Sequence, residues 1–109
     1  MKDDLAFIEH ILLCIDKIQE YTNALTDEDF NNNELIQDAV IRNIELIGEA
    51  TKKISKDLKK QYHEIPWKEM SAIRDKLIHD YFGVDIDVVW RTVKKDIPYL
   101  KSLIEGIDK

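Results

Sequence analysis

Arg74, His79 and Tyr81 lie close together in the segment IRDKLIHDYFGVD, residues 73–85. Arginine stays protonated throughout the physiological range and offers a planar fork of donors that matches phosphate oxygens. Histidine titrates near neutrality and so takes or gives protons there. Tyrosine adds a hydroxyl that a modifying group can occupy. Together the three cover phosphate binding, proton transfer and a site of modification. Each also has an ordinary structural use. Arg74 can pair with Asp75, Asp80 or Glu49, His79 can sit at a helix end where the dipole favours it, and Tyr81 can be a half-buried ring with a wet hydroxyl.

On a regular α-helix, at about 100° per residue, Arg74 and Tyr81 differ by about 20° and stand roughly 10 Å apart, while His79 points about 140° away from Arg74. One straight helix therefore does not aim all three at one point. Two arrangements restore a joint site: the backbone leaves helical geometry near His79, ahead of Gly83, or a second copy of the chain completes the cluster.

The elements that position these residues read as helices. The 109 residues are one domain by size, 44% hydrophobic and 35% charged, with three Gly and two Pro. That composition suits a few long amphipathic helices better than many short strands. No apolar run approaches the roughly 18 residues of a membrane span, and no signal peptide is evident, so the expected location is the cytoplasm. Cys14 is the single cysteine, which excludes an internal disulfide and a multi-cysteine metal site.

The net charge of −6 is unevenly spread: residues 1–49 carry Lys2, Lys17 and Arg42 against twelve acids, whereas residues 50–109 carry thirteen bases against ten acids. The first half repels nucleic-acid phosphates and the second need not. The run Lys52, Lys53, Lys56, Lys59 and Lys60 is expected late in a helix, complementing its negative end or facing phosphate.

Four helical segments are expected. The first, capped by Asp3 or Asp4, runs to about Leu25 and buries Leu5, Ile8, Leu12, Ile15 and Ile18. A polar connection, Thr26–Asn33, follows. The second runs unbroken from about Asn33 to about Lys60 with Leu35, Ile36, Val40, Ile44, Ile47, Ile54 and Leu58 on its apolar face. Gly48, costly in a helix interior, marks a crossing point for another backbone. Arg42, Glu45 and Glu49 lie on neighbouring turns and can turn paired charges toward the core or a partner chain. The third helix starts near Pro66, turns Trp67, Met70, Ile73, Leu77 and Ile78 inward and stops at Phe82-Gly83-Val84. The fourth is capped by Asp85 and runs through Val88, Val89, Val93, Ile97, Leu100, Leu103, Ile104 and Ile107, kinked or divided at Pro98. An all-α, up-and-down bundle buries four such faces.

Taken together, the segments RNIELIGEA (42–50), Trp67, IRDKLIHDYF (73–82), Val84-Asp85 and Val89-Trp90 resemble the HEPN-domain toxins of the HepT type over almost the whole chain. The resemblance implies an antiparallel four- to five-helix bundle that pairs into a homodimer, the two motifs facing each other across a cleft. It implies a metal-independent ribonuclease, the toxin of a type VII toxin–antitoxin pair, with RNA (tRNA among the candidates) as substrate and no cofactor. Arg74 and His79 would be the catalytic pair. Asp75 follows the arginine where relatives often carry asparagine; an acid there repels phosphate unless it orients Arg74 or His79, so its role stays open. The implied partner is a minimal nucleotidyltransferase antitoxin that neutralises the toxin by adding AMP to Tyr81.

The implied chemistry is coherent. Cutting RNA without a metal needs a base for the 2′-hydroxyl proton, an acid for the leaving oxygen and positive charge on the phosphorane. Two chains supply two histidines and two arginines. A rival is a non-catalytic helical binding partner of the nucleotidyltransferase, which the acidic first half favours. A carboxylate-bridged metal bundle wants Glu-x-x-His pairs, and neither His10, His63 nor His79 has Glu three residues before it.

Overall fold

A computed structural model describes residues 2–77 and 83–107. These are mostly helical, with no strand among them: α1 (Lys2–Thr22), α2 (Asp27–Asn31), α3 (Glu34–Lys53), α4 (Lys56–Gln61), α5 (Trp67–Ser71), a 3-10 turn (Asp75–Leu77), α6 (Ile86–Arg91), a π-helical turn (Thr92–Asp96) and α7 (Ile97–Glu105).

The expected all-α bundle is the observed one. α1 and α3 run antiparallel, the start of α1 meeting the end of α3 where Asp4 reaches Ser55. The stretch from α6 through α7 returns along α1, and Lys101 bonds Gln19 and pairs with Asp16. Ile8, Ile11, Ile15 and Ile18 of α1, Val40, Ile44 and Ile47 of α3, and Ile97 and Ile104 of α7 are fully enclosed between these elements. Each such side chain contributes roughly 1.5–3 kcal/mol.

The second expected helix is in fact two. α3 stops at Lys53, Ile54 is extended, and Ser55 begins α4 by accepting from the Leu58 N–H. The cause is Asp4. It does not cap α1, which already starts at Lys2; its carboxylate accepts from the Ser55 N–H at 2.8 Å and the Ser55 hydroxyl at 2.6 Å. A serine whose N–H is held by another helix cannot donate to its own, and the ladder breaks there. Burial raises the Asp4 pKa, but the two Ser55 bonds and the charge of Lys59 outweigh it and hold the carboxyl below its ordinary value. Lys52 and Lys53 sit in the last turn of α3 and Lys59 and Lys60 in that of α4, at negative ends as expected, whereas Lys56 opens α4 at its positive end.

The polar connection after α1 also holds more than expected. Thr26 and Asp29 form a reciprocal capping box that starts α2, and Phe30 is fully buried with its ring centroid 4.9 Å from that of Trp90. Leu35, expected on the apolar face, points outward at 81% exposure, because at about 100° per residue it stands about 140° around α3 from Val40. Asp85 caps α6 as expected, accepting from the N–H groups of Asp87 and Val88. Pro98 does disturb the last helix, and does so one turn early. It has no N–H for Lys94 and its ring crowds that carbonyl; the backbone widens before it, and Ile97 donates to Thr92 in the π pattern.

Candidate functional site

Gly48 is the crossing point that its position in α3 suggested. A β-carbon there would lie 3.2 Å from the Ser71 carbonyl oxygen, 3.5 Å from that of Met70 and 3.6 Å from Ile73 Cγ2. Any side chain there would press on the α5 main chain, so glycine eases this approach. Trp67 and Met70 are buried, and the Trp67 indole donates to the Tyr62 carbonyl at 3.0 Å, which fixes where α5 begins.

α5 ends at Ser71, after which the chain turns and tightens into the 3-10 turn. The expected third helix is therefore not regular up to the motif: it leaves α-helical geometry before Arg74, earlier than the position near His79 where irregularity was expected. Residues 70–73 meet Gly48, and the next residue meets α3 one turn toward its start. There Arg74 donates through Nε to Glu45 Oε2 at 2.7 Å. Glu45 is the partner, not Asp75 or Glu49; Asp80 lies outside the described residues. The Arg74 side chain remains 51% exposed, so its charge stands at the surface.

Asp75 is exposed at the head of the 3-10 turn, its N–H donating to the Ala72 carbonyl. Lys76, next along, pairs with Asp96 of the π-helical turn. Leu77 is fully buried, and its carbonyl accepts from the Asp85 N–H at 2.7 Å. This bond ties together the two chain ends flanking residues 78–82, and Gly83 takes φ +94°, which glycine alone adopts freely. His79 and Tyr81, together with Ile78, lie outside the described residues. Of the charged stripe on α3, Glu45 joins the site; Arg42 is exposed, and Glu49 lines a separate cleft with Phe7, His10 and Lys53.

Among the described residues no group of three or more His, Cys, Asp or Glu side chains is placed to hold a metal ion. Cys14 is buried, and that burial pushes its thiol up despite the nearby charge of Lys17; a thiol held neutral is a core residue, not a nucleophile. No helix among the described residues is long and apolar enough to cross a membrane.

A helical frame that holds the arginine of an Arg-x4-His segment at an α3–α5 crossing defines the class. The chain belongs to the ribonuclease HepT-like family, whose model matches residues 11–107. It is 50% identical over 103 residues to "Probable ribonuclease HepT" of Thermococcus cleftensis, covering 94% of each chain. It is 49% identical over 108 residues to a "Putative RNase" of Methanocaldococcus jannaschii, covering 99% of this chain and 93% of that one. A third relative, "Gamma-glutamylcyclotransferase and putative RNase" of the same organism, is 47% identical over 112 residues; the chain spans half of its length. No solved structure matches the chain.

Proposed function

We propose that the chain is a metal-independent ribonuclease in which Arg74 and His79 act on one phosphodiester, in a pocket shared by two copies. The names of its relatives support the reaction class. The observation that carries the assignment of Arg74 is its pose. Glu45 holds the guanidinium through Nε, and among the described residues the terminal nitrogens have no acceptor, so they remain for a phosphate. His79 takes the 2′-hydroxyl proton as the 2′-oxygen attacks phosphorus. The P–O5′ bond breaks, and the leaving 5′-oxygen is protonated by the histidine of the second copy. Arginine, charged at every step, stabilises the phosphorane. No step is assigned to Asp75, which is exposed beside Arg74.

The same proposal makes the chain the toxin of a type VII pair, acting in the cytoplasm, with a minimal nucleotidyltransferase as antitoxin. AMP added to Tyr81, seven residues from Arg74, brings into the pocket the charge and bulk that the substrate must bring.

The test uses the purified chain in excess chelator with RNA and DNA strands of matched sequence. RNA fragments ending in 2′,3′-cyclic phosphate and 5′-hydroxyl, with the DNA intact, are expected. Intact RNA, or DNA cut equally well, overturns the proposal. A binding module without catalysis is the second reading, favoured by the net charge of −6; it predicts intact RNA in the same tube.

A further inference from the structure

Positive charge is scarce on a chain of net charge −6, and beside the candidate site one cleft carries more cations than carboxylates. A cleft of about 250 Å³ between the 3-10 turn and the α6–π junction is lined by Lys76, Val88, Arg91, Thr92, Lys95 and Asp96. Three cations there face one carboxylate. Two other clefts among the described residues differ: Glu20 and Lys94 balance in the one beside Pro98, and Glu34 and Asp38 line the one beside Val84.

The arrangement within the cleft is specific. Asp96 is occupied by Lys76, so the carboxylate that would repel phosphate is already neutralised. Arg91 and Lys95 are exposed, stand four residues apart on one helical face, and pair with no carboxylate among the described residues. Val88 lines the same cleft, and the Thr92 hydroxyl is turned inward to the Val88 carbonyl at 2.8 Å. Two unpaired cations on one helical face suit contact with the phosphates of a single strand.

Lys76 connects this cleft to the candidate site, two residues from Arg74 along the same exposed ribbon of chain. We infer that Arg91 and Lys95, beside the Lys76–Asp96 pair, form a seat for the RNA backbone next to the linkage that Arg74 holds. The inference rests on the ribonuclease reading and extends it to substrate positioning. It solves a physical problem that the catalytic pair alone does not: a chain of net charge −6 must concentrate positive potential locally to recruit RNA.

The experiment uses the full chain carrying His79→Ala, so that RNA is not consumed, and fluorescence anisotropy of a labelled single-stranded RNA across a salt series. Adding Arg91→Gln and Lys95→Gln is expected to raise Kd roughly tenfold and to lower the slope of log K against log salt by about 1.4, near 0.7 for each lost phosphate contact on a single strand. Adding Lys17→Gln and Lys52→Gln instead removes equal charge elsewhere and is expected to leave both quantities unchanged. Circular dichroism is expected to be the same for all three chains, since the four side chains are exposed. Unchanged affinity in the Arg91/Lys95 chain, an equal loss in the control, or no RNA binding by the parent overturns the inference. Cleavage by the chain with His79 intact is scored separately. RNA that binds through Arg91 and Lys95 but is never cut refutes the ribonuclease reading and leaves the seat standing; RNA that is cut, with affinity indifferent to these two residues, does the reverse.

Discussion

Arg74 is fixed to Glu45 by a 2.7 Å hydrogen bond between its Nε and a carboxylate oxygen, across 29 residues of chain and at a surface position. An ion pair this exposed contributes little to stability, about 0–1 kcal/mol. Its use is orientation. Glu45→Ala is expected to leave the melting temperature nearly unchanged and to lower kcat for RNA cleavage roughly ten- to hundredfold, the usual cost of a misplaced group, without weakening RNA binding. Arg74→Lys is expected not to restore activity, because lysine has neither the Nε–H that Glu45 grips nor the fork. Full turnover by the Glu45→Ala chain would contradict the positioning role.

The contact of α5 with Gly48 predicts a coupling between packing and activity. Valine at 48 places its β-carbon 3.2 Å from a main-chain oxygen and adds branches beyond it. Gly48→Val is expected to destabilise by about 1–3 kcal/mol, as overpacking does, and to cut activity further than the loss of folded chain explains, since Arg74 moves with α5. Chemical denaturation and activity measured on the same samples check this; activity that merely tracks the folded fraction would count against it.

Asp4 gives stability an acid limb. Its folded pKa lies below its unfolded value, about 3.9, so as pH falls the unfolded chain takes up the proton first. The stabilisation is complete above the unfolded value and is lost as pH falls through the folded one. Asp4→Asn is therefore expected to melt lower than the parent at pH 7, with the gap closing toward pH 3. A gap of constant size in thermal unfolding at both pH values would show that the charge of Asp4 is not what matters.

Tyr81 supplies a test of the partner. Tyr81→Phe is expected to give a chain that the nucleotidyltransferase binds and cannot load with AMP, so toxicity persists in its presence. Intact-mass spectrometry after incubation with the partner and ATP reads this directly. The same mass gain on the substituted chain as on the parent would remove Tyr81 from the assignment.

Much of this frame was legible from periodicity. The isoleucines of α1 and α3, the Asp85 cap and the close approach at Gly48 are all local signals that tertiary structure left intact. What escaped was long-range. Nothing near Ser55 announces that α3 breaks there, because the carboxylate responsible is 51 residues away. Phe30 sat within TDEDFNNN and was masked by its polar neighbours, although the Thr26–Asp29 capping pair was a readable sign of a short helix. Glu45 is one of three charges on α3, but its pairing with Arg74 follows only once Gly48 is matched to Ser71. Chains passing in opposite directions then bring residue 74 to residue 45. His79 and Tyr81 rest on the motif alone.

Cleavage by the two substituted motif chains tests the central claim most directly. Parent, Arg74→Ala and His79→Ala proteins, each confirmed folded by circular dichroism, are incubated with labelled RNA in chelator at neutral pH, and the initial rate of fragment formation is measured. The proposed pair predicts cutting by the parent and rates indistinguishable from the protein-free blank for both variants. Cutting at the parent rate by either variant would contradict it.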